Sequence, residues 1–412
     1  MQKLQPVRGT SDLTFEQAQK YQHVIESFVD IAKNTSFDFI KTPIFEFTEV
    51  FSRTMGETSD VVNKEMYTFT DRSDNSITLR PEFTAGLVRS FISNGMQQNL
   101  PCKFYTHGPV FRYERPQKGR QRQFHQLDAE VFGITSHMAE IELILMAIKL
   151  FDTLDIAQDI ELQINTLGDA NSRAAYNKAL VEYYTKHQEQ LSDDSKTRLA
   201  KNPLRILDSK DESDKAINQN APKLHDYLNQ ESQQFFSNLT NALDELDIKY
   251  TINQNLVRGL DYYTHTVFEF VTNSLGAQGT VLAGGRYDGL VKQMGGQDTP
   301  AVGWGAGIER LMLMLDKDIT NTPPIVIVAD SEALAGKAMQ IADDLIDNNI
   351  KVSFCYNYGI KKGLKFANKQ NAQKLIILAE NEYNTGQVIL KDLANNNQQL
   401  VDLDKVTSCV NA

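Results

Sequence analysis

Cysteine is scarce in this chain of 412 residues. The three, Cys102, Cys355 and Cys409, lie far apart and form no CxxC pair, which argues against a disulfide framework and against a cysteine zinc site. Free thiols in a reducing cytoplasm are the expected state. Long apolar runs are missing too: none approaches the roughly 20 residues that span a bilayer. The opening segment MQKLQPVRGTSD has no apolar signal region. A cytoplasmic location without membrane association is therefore expected. No GxxxxGKS/T occurs, so there is no P-loop, and Gly303-Trp-Gly305-Ala-Gly307 has the wrong spacing for a dinucleotide fingerprint. HExxH and GxSxG are absent as well. His107 and His125 lack partners at metal-ligand spacing, so a packed or hydrogen-bonding role is expected and no metal ligand is assigned. The chain also lacks positive charge. A net charge of −11 and a pI near 5.2 argue against generic nucleic-acid coating, while leaving room for RNA contacts by local basic patches.

What is present is ordinary globular material. With 41% hydrophobic and 23% charged residues, the chain can bury a sizeable core, and its length fits two or three domains. One stretch stands apart from the acidic whole. Phe111 to Phe132, FRYERPQKGRQRQFHQLDAEVF, reads as strand, basic loop, strand. Between Arg112 and Arg122 five basic residues (Arg112, Arg115, Lys118, Arg120, Arg122) meet one acid, Glu114, giving a local charge of +4. A compact basic tip on an acidic protein points to a polyanion handled at that place. The strand after the loop alternates, with Gln126, Asp128 and Glu130 on one face and Leu127, Ala129 and Val131 on the other. Amide and carboxylates beside an arginine-rich tip suit a cationic or imidazole-bearing ligand held near a phosphate.

Along the chain, Thr14 with Gln17 three residues on fits a helix-capping box. Phe15, Ala18, Ile25, Phe28 and Ala32 then form a helical stripe ending near Thr35. Short strands are expected at Pro43–Phe47, Tyr67–Phe69 and Ile77–Leu79, and helices over Glu82–Ile92 and Met138–Leu154. From about Gly168 to Asp247 the composition turns polar with helical periodicity. That reads as a helical insertion with a solvated surface, the alternative being a dedicated binding module. Strands return at Tyr250–Asn253 and Thr266–Thr272. Ten glycines then fall between Gly276 and Gly307; interleaved with apolar strands, such density means turns or close ligand approach. Asp316 to Pro324 reads as a linker. Beyond it strand Ile325–Ala329, helix Glu332–Ile346, strand Lys351–Cys355, helix Lys361–Lys369 and strand Lys374–Ala379 alternate as a small α/β domain. Strand-like runs at Val388–Lys391 and Gln399–Val401 close it.

Five arginines sit in strand or glycine settings: Arg80, Arg112, Arg258, Arg286 and Arg310. Each alone reads as a surface ion pair. Together they suit an enzyme that stabilises a triphosphate without a P-loop, because guanidinium is permanently charged, planar and able to grip two oxygens of one phosphate.

These residues carry a resemblance that covers nearly all of the chain. Pro43 to Asp60 (PIFEFTEVFSRTMGETSD) looks like motif 1 of the class II aminoacyl-tRNA synthetases. Thr78 to Gly86 and Phe111 to Gly133 look like motif 2 and its surroundings, and Gly303 to Leu313 (GWGAGIERLML) looks like motif 3. Two further signatures are more specific: LVRGLDYYTHTVFE (Leu256 to Glu269) and AGGRYDGL (Ala283 to Leu290). The chain resembles the histidyl-tRNA synthetase family. That resemblance implies an α/β chain with an α+β catalytic core. The core is a class II antiparallel sheet over residues 1–320 with a helical insertion at about 168–248, and a C-terminal α/β anticodon-binding domain follows over 325–412. It implies ATP-dependent ligation of L-histidine to tRNA(His) through a histidyl-adenylate, with Mg2+ accompanying ATP, in a homodimer whose interface motif 1 builds.

The same resemblance implies roles. Arg112 and Arg258 would flank the α-phosphate, as catalytic residues. Arg112, Glu114 and Arg310 would bind ATP, with Arg310 near the γ-phosphate and Glu114 beside adenine. Glu82, Thr84, Gln126, Glu130, Tyr263 and Tyr287 would bind histidine. A neutral imidazole offers one donor and one acceptor, so carboxylate and tyrosine hydroxyl can read both. Asp128, on the same strand face, is open between pocket support and no specific role. Arg115, Gln117, Lys118 and Arg120 would meet the tRNA acceptor end, and the lysines Lys361, Lys362, Lys365 and Lys369 give the C-terminal domain a basic helix face. Phe83 stands where the family usually has glycine, so its ring must point away from the pocket or reshape its wall. Two other readings remain: a catalytically inactive, synthetase-like regulatory subunit of ATP phosphoribosyltransferase, a paralogue that lacks the anticodon-binding domain, and a non-catalytic RNA-binding protein.

Overall fold

The computed structural model describes residues 3–55, 61–117, 119–207, 209, 211–257, 262–276, 279–315 and 322–411. The chain divides into two compact units, Met1–Ile319 and Thr320–Ala412.

An eight-stranded sheet organises the first unit. Its order across the sheet is Asp38–Phe39, Cys102–Phe111, Gln123–Phe132, Ala301–Gly307, Thr280–Arg286, Thr264–Val271, Glu161–Thr166 and Thr251–Ile252. The six inner strands pair antiparallel. Each edge strand pairs parallel with its neighbour. The glycine-dense region thus forms two central strands, Thr280–Arg286 and Ala301–Gly307. The alternation read in Gln123–Phe132 sorts its residues as the pleat requires. Leu127, Ala129 and Val131 are fully buried beneath helices Phe15–Asn34 and Met138–Thr153. In the same layer Phe28 and Trp304 meet at 5.5 Å, and the indole N–H of Trp304 donates to the Leu143 carbonyl at 3.1 Å. Burying each such ring contributes about 1.5–3 kcal/mol.

Two expectations about the first helix fail. Thr14 stands at the N-cap but its hydroxyl makes no capping bond. Phe15 has φ +49° and is 88% exposed, outside the buried stripe of Val24, Phe28, Ile31 and Ala32. The left-handed turn at Phe15 swings its ring off the helix face, so the spacing that suggested a stripe does not hold there.

On the opposite face of the sheet helix Thr84–Ser93 packs with Phe132, Val267 and Ala301, and Phe45–Phe47, Ser76–Leu79 and Tyr67–Thr70 form a separate three-stranded sheet. This small sheet is inverted. Its polar side points inward, where the Thr48, Thr68 and Thr78 hydroxyls form a chain and Glu46 pairs with Arg89. Phe45, Phe47 and Phe69 point outward, 57%, 53% and 49% exposed. The polar stretch after Gly168 folds as helices Ala170–Lys186, Asp193–Lys201, Glu212–Asn218 and Gln230–Glu245. The expected strand Tyr250–Asn253 shortens to Thr251–Ile252.

The second unit is a five-stranded sheet. Ile325–Ala329 lies between Val352–Phe354 and Lys374–Leu378, both parallel to it; Gln387–Asp392 and Asn397–Asp402 extend the sheet antiparallel. Helices Ala335–Asp347 and Ile360–Lys369 fall where periodicity put them, and a short terminal helix, Val406–Asn411, was not read. Among the described residues no helix is long and apolar enough to cross a membrane.

Candidate active site

A cavity of about 270 Å3 opens on the face of the large sheet that Gln126 and Asp128 share. It has two chemically distinct ends. Glu82, Thr84, Gln126, Asp128, Tyr262 and Tyr263 line one; Arg112, Glu114, Arg120, Thr280 and Arg310 line the other.

At the acid end, Glu82 stands two residues before helix Thr84–Ser93, and its carboxylate accepts the Thr84 and Ala85 amides at 2.6 and 2.8 Å. It therefore caps the helix start, where donors are unpaired and the dipole favours an anion. Burial nonetheless raises its pKa. Glu130 lies one layer deeper and is 1% exposed. The Thr84 hydroxyl donates to it at 2.7 Å, and the Tyr287 hydroxyl donates to its other oxygen. Burial raises the Glu130 carboxyl to about 8. Asp128 is held well above the usual carboxylate range by burial and by Glu130 and Glu82 beside it. The tyrosine rings cluster: Tyr262 lies tilted against Tyr263 at 4.7 Å and meets Tyr287 edge-on at 5.6 Å. Glycine opens the space. A Cβ on Gly303 would lie 1.5 Å from a Glu130 carboxylate oxygen, so the acid can sit there only because that strand carries no side chain.

At the arginine end, Arg112 donates through Nε to the Pro81 carbonyl at 2.9 Å and rests 5.5 Å from the Phe124 ring. Its remaining N–H groups belong to the cavity wall. Arg310 donates to the carbonyls of Gly119, at 3.4 Å, and of Thr280. Burial and the nearby Arg120 lower its pKa. Both guanidiniums are thus aimed by backbone carbonyls. Glu114 pairs with Arg120 at 2.7 Å across the loop, and Gln117 and Arg120 exchange backbone hydrogen bonds of 3.1 and 2.9 Å that close its tip.

Not every arginine belongs to the cavity. Arg286 is fully buried in a bidentate pair with Glu140, at 2.7 and 2.5 Å, and also donates to the carbonyls of Ile134 and Ser136. Arg80 donates to the carbonyls of Pro109 and Thr42 at 2.9 and 3.0 Å, and burial lowers its pKa to about 10. The expectation that these two serve a triphosphate is corrected: their donors are committed to the fold. Phe83 is 1% exposed, packed with Leu87 and Val110 and 4.3 Å beneath the Arg80 guanidinium. It points away from the cavity. His125 hydrogen-bonds Glu309 through its ring at 2.8 Å.

Thr84, Arg112, Glu114, Gln126, Tyr263 and Arg310 line one cavity, with Glu82; Glu130 and Tyr287 stand behind that wall. Arg115 and Gln117 are exposed on the loop. Arg258 and Lys118 lie outside the described residues. Tyr262 lines the cavity and was missed; the alternation of Tyr262 and Tyr263 beside a strand was the available signal, but both rings turn inward. Among the described residues no group of three or more His, Cys, Asp or Glu side chains could hold a metal ion.

An antiparallel sheet presenting an arginine hairpin, a capped helix and a glycine-rich strand to one cavity is the catalytic architecture of the class II aminoacyl-tRNA synthetases. Within that class the chain belongs to the histidyl-tRNA synthetase family, whose description matches residues 9–311, while an anticodon binding domain matches residues 324–412. It is 49% identical to the histidine–tRNA ligase of Rhodospirillum rubrum over 98% of this chain and 97% of that one. It is similar to the apo histidyl-tRNA synthetase of S. aureus, at 32% identity and a TM-score of 0.83 over 99% of each chain. A Bacillus halodurans protein described as an ATP phosphoribosyltransferase regulatory subunit/histidyl-tRNA synthetase shares the fold at 21% identity and a TM-score of 0.67. It covers 91% of this chain and 98% of that one.

Proposed function

We propose that this chain joins L-histidine to tRNA(His) at the expense of ATP, through a histidyl-adenylate. The observation that carries this reading is the single cavity with an arginine end for a polyphosphate and an acid end for an amino acid. In the first step the histidine carboxylate attacks the α-phosphate of ATP and pyrophosphate leaves. Arg112, already aimed by the Pro81 carbonyl, supplies fixed positive charge where negative charge builds; one such preorganised donor contributes roughly 3 kcal/mol. Arg258 is assigned the other side of that phosphate, Arg310 the terminal phosphate and Glu114 the adenine side. In the second step the terminal ribose of the tRNA takes the histidyl group from the adenylate.

Glu82, Thr84, Gln126, Glu130, Tyr263 and Tyr287 are assigned to histidine. The Thr84–Glu130–Tyr287 chain supports this, because a ring donor meeting a carboxylate already oriented by two hydroxyls loses little entropy on binding. A site built on such hydrogen bonds rejects analogues lacking them by on the order of 10⁴-fold. Mg2+ enters as a companion of ATP. Among the described residues no group of three or more His, Cys, Asp or Glu side chains would hold it independently of the nucleotide. Arg115, Gln117, Lys118 and Arg120 are assigned to the tRNA acceptor end. Residues 1–320 are the catalytic domain, with the helical insertion at about 168–248, and 325–412 the anticodon-binding domain. A cytoplasmic homodimer completes the reading; the outward Phe45, Phe47 and Phe69 of the inverted small sheet support a partner chain there. The regulatory-subunit alternative is disfavoured by the anticodon-binding match over 324–412.

Pyrophosphate exchange with each amino acid in turn tests the reading. Exchange with histidine alone is expected. Exchange with another amino acid would overturn the specificity, and none at all would favour the regulator.

A further inference from the structure

Three carboxyl groups converge on the acid end of the cavity, and two of them are already committed. Glu82 accepts the Thr84 and Ala85 amides, and Glu130 accepts the Thr84 and Tyr287 hydroxyls. Asp128 differs. It is 3% exposed and lines the cavity; its carboxyl shares a hydrogen bond with Glu130, but its Oδ1 finds no hydrogen-bond partner among the described residues. On the same strand face the Gln126 Oε1 is also without a partner. Arg80 acts on Asp128 through space, yet gives its hydrogens to the carbonyls of Pro109 and Thr42. This end of the cavity therefore has acceptors in excess and wants a donor. A buried acceptor left unpaired costs about 1–3 kcal/mol, which a ligand can recover.

We propose that Asp128 is a further substrate-binding residue, beyond those the family motifs imply, and that it receives the α-ammonium of histidine. The inference rests on the histidine-ligase reading. Two arguments favour the ammonium over the ring. The ammonium is borne by the carbon next to the reacting carboxylate, so it lies closer to the arginine end than the imidazole does. Along Gln123–Phe132, Asp128 likewise stands nearer the basic tip than Glu130. Second, three carboxyl groups, Glu82, Asp128 and Glu130, face two nearby guanidiniums, Arg112 beside Glu82 and Arg80 beside Asp128, together with the Tyr287 hydroxyl. An ammonium, charged at neutral pH, offsets that excess, whereas a neutral ring does not. Burial and the neighbouring acids keep the empty Asp128 carboxyl protonated to higher pH, and an arriving ammonium lets it ionise.

The test is calorimetric titration of the full chain and of Asp128→Asn with three probes. L-histidine carries ammonium, ring and carboxylate; histidinol keeps ammonium and ring; imidazole propionate lacks the ammonium. In Asp128→Asn, histidine and histidinol are expected to bind about 30-fold more weakly, the worth of one charge-assisted hydrogen bond. Imidazole propionate affinity and the KM for ATP in pyrophosphate exchange should stay unchanged. Asp128→Glu, which restores the charge, should recover part of the loss, a response that a packing role would not give. Unchanged histidine affinity in Asp128→Asn would overturn the inference. An equal loss for imidazole propionate would make the ring the partner and overturn the ammonium assignment. A wild-type chain that binds no histidine would instead refute the ligase reading itself, and the inference with it.

Discussion

At the acid end of the cavity, Gln126, Asp128 and Glu130 ride on one strand and Thr84 opens a helix capped by Glu82; the hydrogen bonds of Glu82, Thr84 and Glu130 are made before any ligand arrives. At the arginine end, Arg112, Glu114 and Arg120 ride on a loop, and the guanidiniums of Arg112 and Arg310 are steered by backbone carbonyls. On the proposed reading, the end that must tell one side chain from others is built on rigid elements and short-range hydrogen bonding. The end assigned to a polyphosphate relies on charge, which tolerates positional slack because Coulomb energy falls slowly with distance.

That contrast can be broken at either end. The largest effect is expected from Arg112→Ala: pyrophosphate exchange should fall on the order of 10²–10³-fold in kcat, with thermal unfolding unchanged. A loss of folding instead would mean that Arg112 serves structure, as Arg286 does. Next, Tyr287→Phe removes one hydroxyl from Glu130 and should raise the KM for histidine about tenfold while the KM for ATP holds. If both constants moved together, the two ends would not be separate.

A pH effect sharpens the contrast further. Glu130 has an ordinary value of 4.5 and about 8 in the fold, so between those values the folded chain holds a proton that the unfolded chain releases. Its contribution to stability is fully present below pH 4.5 and is lost as pH rises through about 8. Urea midpoints should therefore fall across that window in wild type and fall less in Glu130→Gln; equal slopes would remove Glu130 as the cause. The smallest change belongs to the loop. Arg115→Ala, at an exposed loop position, should leave exchange intact, raise the KM for tRNA a few-fold and lower the salt-dependence slope by about one. An effect on exchange without tRNA would mean that the loop shapes the nucleotide site instead.

Much of this was legible in the chain. The period-two pattern of Gln123–Phe132 placed three acceptors on one face, and the net charge of the loop marked the arginine side of the cavity. What stayed hidden depended on partners distant in sequence. Arg286 and Arg310 share a glycine-rich context, yet Glu140 from another helix claims the first and the second lines the cavity. That Glu82 also caps the helix it precedes was hidden, because the Thr84 and Ala85 amides converge on its oxygens only once that helix forms. Phe83 stood open between two orientations until Arg80 was seen to cover it. Thr14 satisfied a local capping pattern that the left-handed turn at Phe15 dismantles.

Gly303 sets a limit on how this cavity could change. Beside Glu130 the strand Ala301–Gly307 has no side chain left to trim, so substitutions there can only shrink the space. Room for a bulkier amino acid would have to come from Glu130, Tyr287 or Thr84; changing Glu130 strands both hydroxyls, and changing either hydroxyl leaves one Glu130 oxygen without its donor. Laboratory evolution toward larger amino acids would have to cross that gap with paired mutations.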